Sequence, residues 1–389
     1  MGAKGSEILK SWVEISKARL QENFRAIQSV VGAGVEVLAV VKSNGYGHDA
    51  AICGPALVGA KARWLGVSDV EEGARLRKQL GEGSTRVLVM CGMELSDAAA
   101  MAQYGLTPVV WTMEHVAAME KAARAAGQRL QVHLEIDTGM SRQGVQVGAE
   151  LVEVAQRLAE SRWVHCEGVM SHLSCSEVAG SSVTEAQREK FAEAIAQVTA
   201  AGIQPELVHL GNSSAVDEGS TMEWVRVTAK KMGAKAMVRP GLAVYGMCMP
   251  VENGKGLLAA KLKPAMSWKS HVIGLREIEK GTSVGYGATF TAKREMRIAL
   301  LPVGYADGFR REASSGVGDG WVMIAGKKAK VVGRVSMNLT TVDVTGIDVQ
   351  VGSEVVLLGE GVTAEDHAQW AGTIAYDIVC GVKGEFVAR

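Results

Sequence analysis

The chain has 389 residues, 47% of them hydrophobic and 22% charged, with 46 glycines. That is enough apolar material to bury two cores and too much for a disordered chain. Lysine plus arginine number 42 and aspartate plus glutamate 42, a net charge of zero, which excludes the electrostatic attraction that nucleic acid or an anionic membrane exploits and leaves a small molecule as the expected partner.

The opening, MGAKGSEILKSWVEIS, lacks the apolar core of a secretory signal, and no stretch approaches the ~18 apolar residues of a membrane span, so a cytoplasmic protein is expected. Gly2 and Ser6 match a myristoylation pattern short enough to arise often by chance. A helix is predicted over about 17–31. From residue 35 short β-branched runs alternate with amphipathic stretches: VEVLAVVK (35–42), WLGVSD (64–69), RVLVMC (86–91), LTPVVW (106–111), LQVHLEI (130–136), WVHCEGVMSH (163–172), ELVHLG (206–211) and KAMVRP (235–240). Between them lie helical patterns such as VEEGARLRKQL, MEHVAAMEKAARAAG and TEAQREKFAEAIAQVTAAG, the last two ending at Gly127 and Gly202. Eight strand-helix units predict an α/β fold, a (β/α)8 barrel over residues 12–250. An open doubly wound sheet could hold as many strands, but no GxGxxG opens the first turn. After MPVENGKGLLAAKLKP the texture changes to strands separated by Gly-rich turns, so a mostly β domain is expected over 255–389, with residues 1–11 able to join it. Cys53, Cys91, Cys166, Cys175, Cys248 and Cys380 form no CxxC pair and read as reduced core thiols.

A barrel works at the C-terminal ends of its strands. Lys42 follows the first strand, where its ammonium is either paired, snorkelling to water, or desolvated for covalent use, and Tyr46 lies one loop away. Other strand ends supply Glu135, Asp137 and Arg142 in EIDTGMSRQG, His172 in MSHLS, Asn212 and Ser213 in HLGNSSA, and Arg239 and Gly241 in VRPGLAVYG. Together they describe a site for a phosphate-bearing aromatic ligand: Ser213 with the amides around Gly241 and Leu242 suits a phosphate, and His172 suits a ring.

The motifs VEISKARLQENF, VVKSNGYGHD, EIDTGMSRQG, GNSSA, VRPGLAVYG, VGYGATFTA, PVGYADGFRR, VGRVSMN and TIAYDIVC, in this order over nearly the whole chain, resemble those of the alanine racemase family, pyridoxal-phosphate enzymes built on a barrel plus a β domain. The resemblance implies that Lys42 binds pyridoxal 5'-phosphate covalently and that Tyr46, Asn212, Ser213, Gly241, Leu242 and Tyr376 help to hold it. His172 then lies by the ring and Arg239 faces the pyridine nitrogen. Lys42 and Tyr286, the latter from the partner subunit of a homodimer, become the two catalytic bases of an L-to-D alanine racemase, whose product is of the kind that peptidoglycan synthesis consumes. Arg142 and the backbone of Met337 are placed at the substrate carboxylate, with Tyr305 and Arg311 along the entry passage.

Two positions depart from the family pattern. Glu135 stands where many members have a carbamylated lysine, and its permanent carboxylate is expected to hold Arg142. Asn338 stands where aspartate is common, which opens serine or a larger amino acid such as lysine or arginine as alternative substrates. A related decarboxylase places a cysteine in the β domain, but none lies between Cys248 and Cys380. No His/Cys cluster suggests the metal of a D-amino-acid aldolase or dehydratase. A carrier using the barrel alone leaves Tyr286 without purpose, and a barrel salt bridge remains the plain alternative for Arg239.

Overall fold

A computed structural model describes residues 9–81 and 83–389, so Gly2 and Ser6 lie outside the described residues. The chain divides into two compact units: the first comprises Ala18–Tyr46 with Ala50–Lys263, the second the described residues up to Lys17, Gly47–Asp49 and Pro264–Arg389.

In the first unit all eight expected strands form: Val35–Val40, Trp64–Val67, Arg86–Val89, Thr107–Val110, Leu130–Asp137, Val164–Met170, Leu207–Gly211 and Lys235–Val238. Each pairs in parallel with the next, and the eighth pairs with the first, so the sheet closes on itself. Closure leaves no edge, and helices cover the outside, which explains why these strands are apolar runs rather than alternating ones. Leu38, Val40, Trp64, Leu88, Met90 and Met237 belong to one buried cluster in this sheet.

Two register shifts matter for what the barrel can hold. Between the fifth and sixth strands Val132 faces Cys166 but His133 faces Gly168, so Glu167 is an extra, bulged residue. Between the seventh and eighth, Met237 faces His209 but Val238 faces Gly211.

The leading helix, Lys17–Val31, buries Leu20, Phe24, Ile27 and Val31 at helical spacing. Its Asn23 is fully buried and donates to the carbonyls of Val244 and Lys263 while accepting from the Lys263 amide, 2.9 Å away. That side chain ties the helix to the segment after the last barrel strand.

The second unit departs from the expected boundaries. The strand Ser11–Ile15 pairs antiparallel with Met266–His271 and parallel with Glu385–Ala388, so residues 12–17, read from sequence as barrel, belong here. The barrel unit ends at Lys263 rather than near 250. A six-stranded sheet is joined by a three-stranded one, Gly274–Ile278, Met296–Leu301 and Thr340–Asp343, and by the hairpin Ser283–Val284 with Phe290–Thr291. Trp268, Phe309, His367 and Trp370 stack in succession as its aromatic core. Two short helices, Ala364–Ala371 and Ala375–Gly381, interrupt the strands, the first capped by Thr363.

No disulfide joins any of the six cysteines, and only Cys53 and Cys166 are buried, while Cys91 and Cys380 are exposed, so the expectation of core thiols holds for two. Among the described residues no helix is long and apolar enough to cross a membrane, and no cluster of three metal-ligating side chains occurs.

Removing the Asn23 side chain strands the Lys263 amide and leaves two carbonyls short of a donor. Asn23→Ala is expected to cost about 2 kcal/mol, read as a lower urea midpoint.

Candidate active site

Lys42 leaves the first barrel strand half-buried. The three residues after it adopt left-handed helical geometry, Ser43 (φ 53°, ψ 51°), Asn44 (φ 51°, ψ 47°) and Gly45 (φ 67°, ψ 41°), and Tyr46 follows with φ 52°. For the non-glycine residues this conformation costs roughly 1–2 kcal/mol each, so something must hold it. Glu72 accepts from the Asn44 amide at 3.1 Å, the Asn44 side chain accepts from the Ala50 amide at 3.0 Å, and the Gly45 amide bonds back to Val41 at 2.9 Å. Such over-determined strain is characteristic of functional turns.

Tyr46 reaches across to the loop after the eighth strand. A Cβ on Gly241 would lie 2.2 Å from the Tyr46 hydroxyl, so only glycine leaves room for it. The buried Ser213 Oγ accepts from the Gly241 amide at 2.9 Å and the Ala243 amide at 3.2 Å, and Leu242 is buried between them. A phenol and a serine hydroxyl thus converge beside one glycine, two O–H donors that suit a phosphate, while the Gly241 and Ala243 amides hold the serine oxygen in place. Asn212 caps the helix that begins at Ser213, accepting from Ala215 and from Ser176 at 2.9 Å each, so its side chain builds the loop.

Arg239 is 5% exposed. It donates to the Ser171 carbonyl at 2.7 Å, to His209 Nδ1 at 3.1 Å and to His172 Nδ1 at 3.2 Å. A guanidinium has only donors, so both imidazoles must present a lone pair to it. Burial lowers the Arg239 pKa to about 10, which leaves it charged at neutral pH. His172 is pushed down to about 3 by burial and then by the nearby charges of Arg239, Arg142 and Lys42. The strand ends therefore form a cationic mouth with neutral imidazoles.

Glu135 and Asp137 close the fifth strand. Asp137 accepts from the Gly139 and Ser141 amides at 2.9 and 3.0 Å and shapes the DTGMS loop. Glu135 is 2% exposed, and burial raises its pKa. Its carboxylate is held by Gln143, which also donates to the Met90 carbonyl at 2.8 Å. This corrects the expectation that Glu135 grips Arg142: the Arg142 side chain is exposed and acts on Glu135 only through its charge, and the direct partner of the carboxylate is Gln143.

In the second unit Tyr286 sits at the tip of the short hairpin between Gly285 and Gly287, both left-handed, and is 72% exposed. The Tyr305 amide bonds to the Ser336 carbonyl at 3.1 Å and the Ala306 amide to the Met337 carbonyl at 3.0 Å, which ties the two loops together. Gly304 makes the approach possible, since a Cβ there would meet the Ser336 oxygen at 2.1 Å. Asn338 is exposed beside Met337, and Arg311 is exposed at the start of a single helical turn. Tyr376 is half-buried in the last helix, whose Asp377 is held by Arg310 through both its carboxylate and its backbone oxygen.

The sequence reading passed over His209, His133, Glu167, Arg86 and Gln143, all of which contact the groups above or one another. For His133, Glu167 and His209 the available signal was a histidine or charged residue in the middle of an otherwise apolar barrel strand, whereas Arg86 opens its strand and Gln143 lies in a loop.

A closed parallel barrel bearing a strand-end lysine, a phosphate-shaped cradle and a buried arginine, followed by a separate strand-rich unit, defines a class of two-domain enzymes. Residues 15–249 match the family model for the alanine racemase N-terminal domain, and residues 265–389 that for its C-terminal domain. The chain is 37% identical over 378 residues to an alanine racemase of Symbiobacterium thermophilum, covering 96% of this chain and 95% of that one. Among solved structures it resembles alanine racemase from Streptomyces lavendulae (TM-score 0.88, 32% identity, 99% and 98% coverage). It also resembles that from Bartonella henselae with covalently bound pyridoxal phosphate (TM-score 0.82, 26% identity, 97% and 99% coverage). The chain belongs to the alanine racemase family.

The depressed pKa of His172 makes a stability prediction. Below the ordinary value of 6.5 the unfolded imidazole takes up a proton that the folded one refuses until about pH 3, so stability is lost as pH falls through that window. His172→Asn should reduce the slope of unfolding free energy against pH between about 6.5 and 4 by up to one proton, measured by urea titration at several pH values.

Proposed function

We propose that this protein is a pyridoxal-phosphate-dependent racemase that interconverts L- and D-alanine, acting in the cytoplasm as a homodimer. The observation that carries the reading is the convergence of three parts on the barrel mouth: Lys42 on its strained turn, the Tyr46, Ser213 and Gly241 cradle, and the buried donor-only Arg239. They match in turn an aldehyde, a phosphate and a pyridine nitrogen.

When bound, the cofactor supplies an electron sink for the carbon that loses its proton. The rest falls to the chain. Lys42 takes or returns the α-proton on one face, and Tyr286 of the partner subunit does so on the other, each acting as base in one direction and acid in the reverse. The exposure of Tyr286 at a hairpin tip supports its use by a neighbouring subunit rather than in a core. Arg142 receives the substrate carboxylate, the Met337 backbone assists, and Tyr305 and Arg311 line the approach. Tyr376 completes the phosphate contacts. Arg239 keeps its protons, so toward a ring nitrogen it would offer only an N–H and no proton, which would favour return of the α-proton to carbon over transamination.

Chiral chromatography of L-alanine, L-serine, L-lysine and L-arginine incubated with the protein and pyridoxal phosphate tests the substrate. D-alanine should form fastest; a lead for D-lysine or D-arginine would reassign the substrate to a larger amino acid. Tyr286→Phe should then slow abstraction from one enantiomer at least about a hundredfold, the low end for loss of a general base, with a smaller loss from the other. Equal mild losses in both directions would rule out the two-base assignment.

A further inference from the structure

Behind Arg239, away from the barrel mouth, lies a line of polar side chains that neither packing nor the proposed chemistry uses. His209 Nε2 is 3.0 Å from His133 Nδ1, and His133 Nε2 is 3.4 Å from Glu167 Oε2. Glu167 receives both arms of Arg86, at 2.9 and 2.8 Å. His133 and His209 have no exposed surface, whereas the Arg86 side chain is 32% exposed beside a cavity of about 330 Å³ at the other end of the line. The line thus runs from the far end of the barrel interior to the arginine at its mouth.

The barrel is locally rebuilt to admit it. Glu167 is the bulged residue of the sixth strand, and a Cβ on the next residue, Gly168, would lie 2.8 Å from the His133 ring. A regular strand with any other residue there would close the space. Such interiors are ordinarily filled by branched apolar side chains, which need neither device.

The chemistry of the two ends fixes the direction of every bond between them. Arg239 can only donate, so His209 Nδ1 must accept and its proton sits on Nε2. That proton points at His133 Nδ1, which must therefore accept, and the His133 proton on Nε2 points at Glu167. A carboxylate only accepts, and Arg86 and His133 hold it ionised against the opposing effect of burial. Burial keeps both imidazoles neutral. Reversing His209 would set its N–H against the guanidinium, and reversing His133 alone would set its N–H against that of His209.

We propose that Glu167 is a positioning residue for Arg239: through His133 and His209 it locks a lone pair toward the guanidinium and so holds Arg239 in one orientation at the barrel mouth. The inference rests on the proposed role of Arg239 at the ring nitrogen, but the state of the histidines is measurable without it.

Glu167→Gln tests it with little change of shape. Arg86 would claim the amide oxygen, the amide NH2 would face His133, and both histidines would be driven to the opposite tautomer. In the cofactor-loaded full chain with 15N-labelled histidine, two-bond proton–nitrogen spectra should show His209 protonated on Nε2, and on Nδ1 in Glu167→Gln. The variant should lose about tenfold in kcat, the scale for removing an outer partner of an active-site group, with KM within about twofold and a larger share of transamination. In a His209→Asn background the same change should have no further effect, because the connection is already cut. A His209 proton on Nδ1 in the unaltered protein would overturn the proposal even if no variant folds. So would an unchanged kcat in Glu167→Gln, or an equal loss in the His209→Asn background, which marks a merely structural residue. Absence of racemisation by the unaltered protein would defeat the proposed function instead, leaving the tautomer result to be read by itself.

Discussion

A guanidinium buried inside a barrel is the constraint on which the first unit is built. Arg239 cannot shed its charge near neutral pH, and each N–H turned toward protein needs an acceptor, since an unpaired buried donor on a charged group costs several kcal/mol. The acceptors are a backbone carbonyl and two imidazoles. Their placement forces other choices. His172 and His209 must stay neutral, their lone pairs must face one way, and the interior must carry a polar line where a barrel ordinarily carries branched aliphatic side chains.

Backbone geometry provides the space for these side chains. Gly241 yields room to the Tyr46 hydroxyl, Gly168 to the His133 ring, and Gly144 lets the loop close back on Asp137, whose amide nitrogen a Cβ at that position would meet at 2.6 Å. The turn after Lys42 is strained, with Ser43, Asn44 and Tyr46 all at positive φ. It persists because Glu72, itself fixed by Ser68, bonds the turn from below. A site assembled from closed-sheet strand ends and strained, well-bonded turns is held in place before any ligand arrives, and this is how protein groups stabilise charge without reorganising.

The second unit has the opposite character. Its aromatic core is buried, but Tyr286, Tyr305, Met337 and Leu339 are exposed at 72%, 43%, 55% and 41%. Solvated aromatic and Met side chains on loops tied to one another are the composition of a binding surface rather than of a core. The proposed dimer uses this surface by giving the barrel mouth a tyrosine that its own unit does not carry.

Local pattern was enough to read the eight strands, the leading helix and the lysine, tyrosine, serine and arginine at the strand ends, because strand and helix periods and the polar residue that ends an apolar run are properties of neighbouring residues. Motif order carried the family. The strand Ser11–Ile15 was misassigned to the barrel because its partners lie some 250 and 370 residues along the chain, and nothing local reveals a pairing of that range. The partner of Glu135 was missed for a related reason. Gln143 and Arg142 are adjacent in sequence, and only the folded loop decides which of them turns inward. Glu167 is the clearest case. By simple alternation it belongs on the face opposite Cys166 and Gly168, and a register shift against the fifth strand, a property of two strands together, aims it at His133. Composition, periodicity and motif order by themselves determined which elements form and which chemistry the strand ends carry. Sheet closure, register and loop packing decided which polar groups meet, because hydrogen-bond partners are chosen by distances in space that the order of residues does not encode.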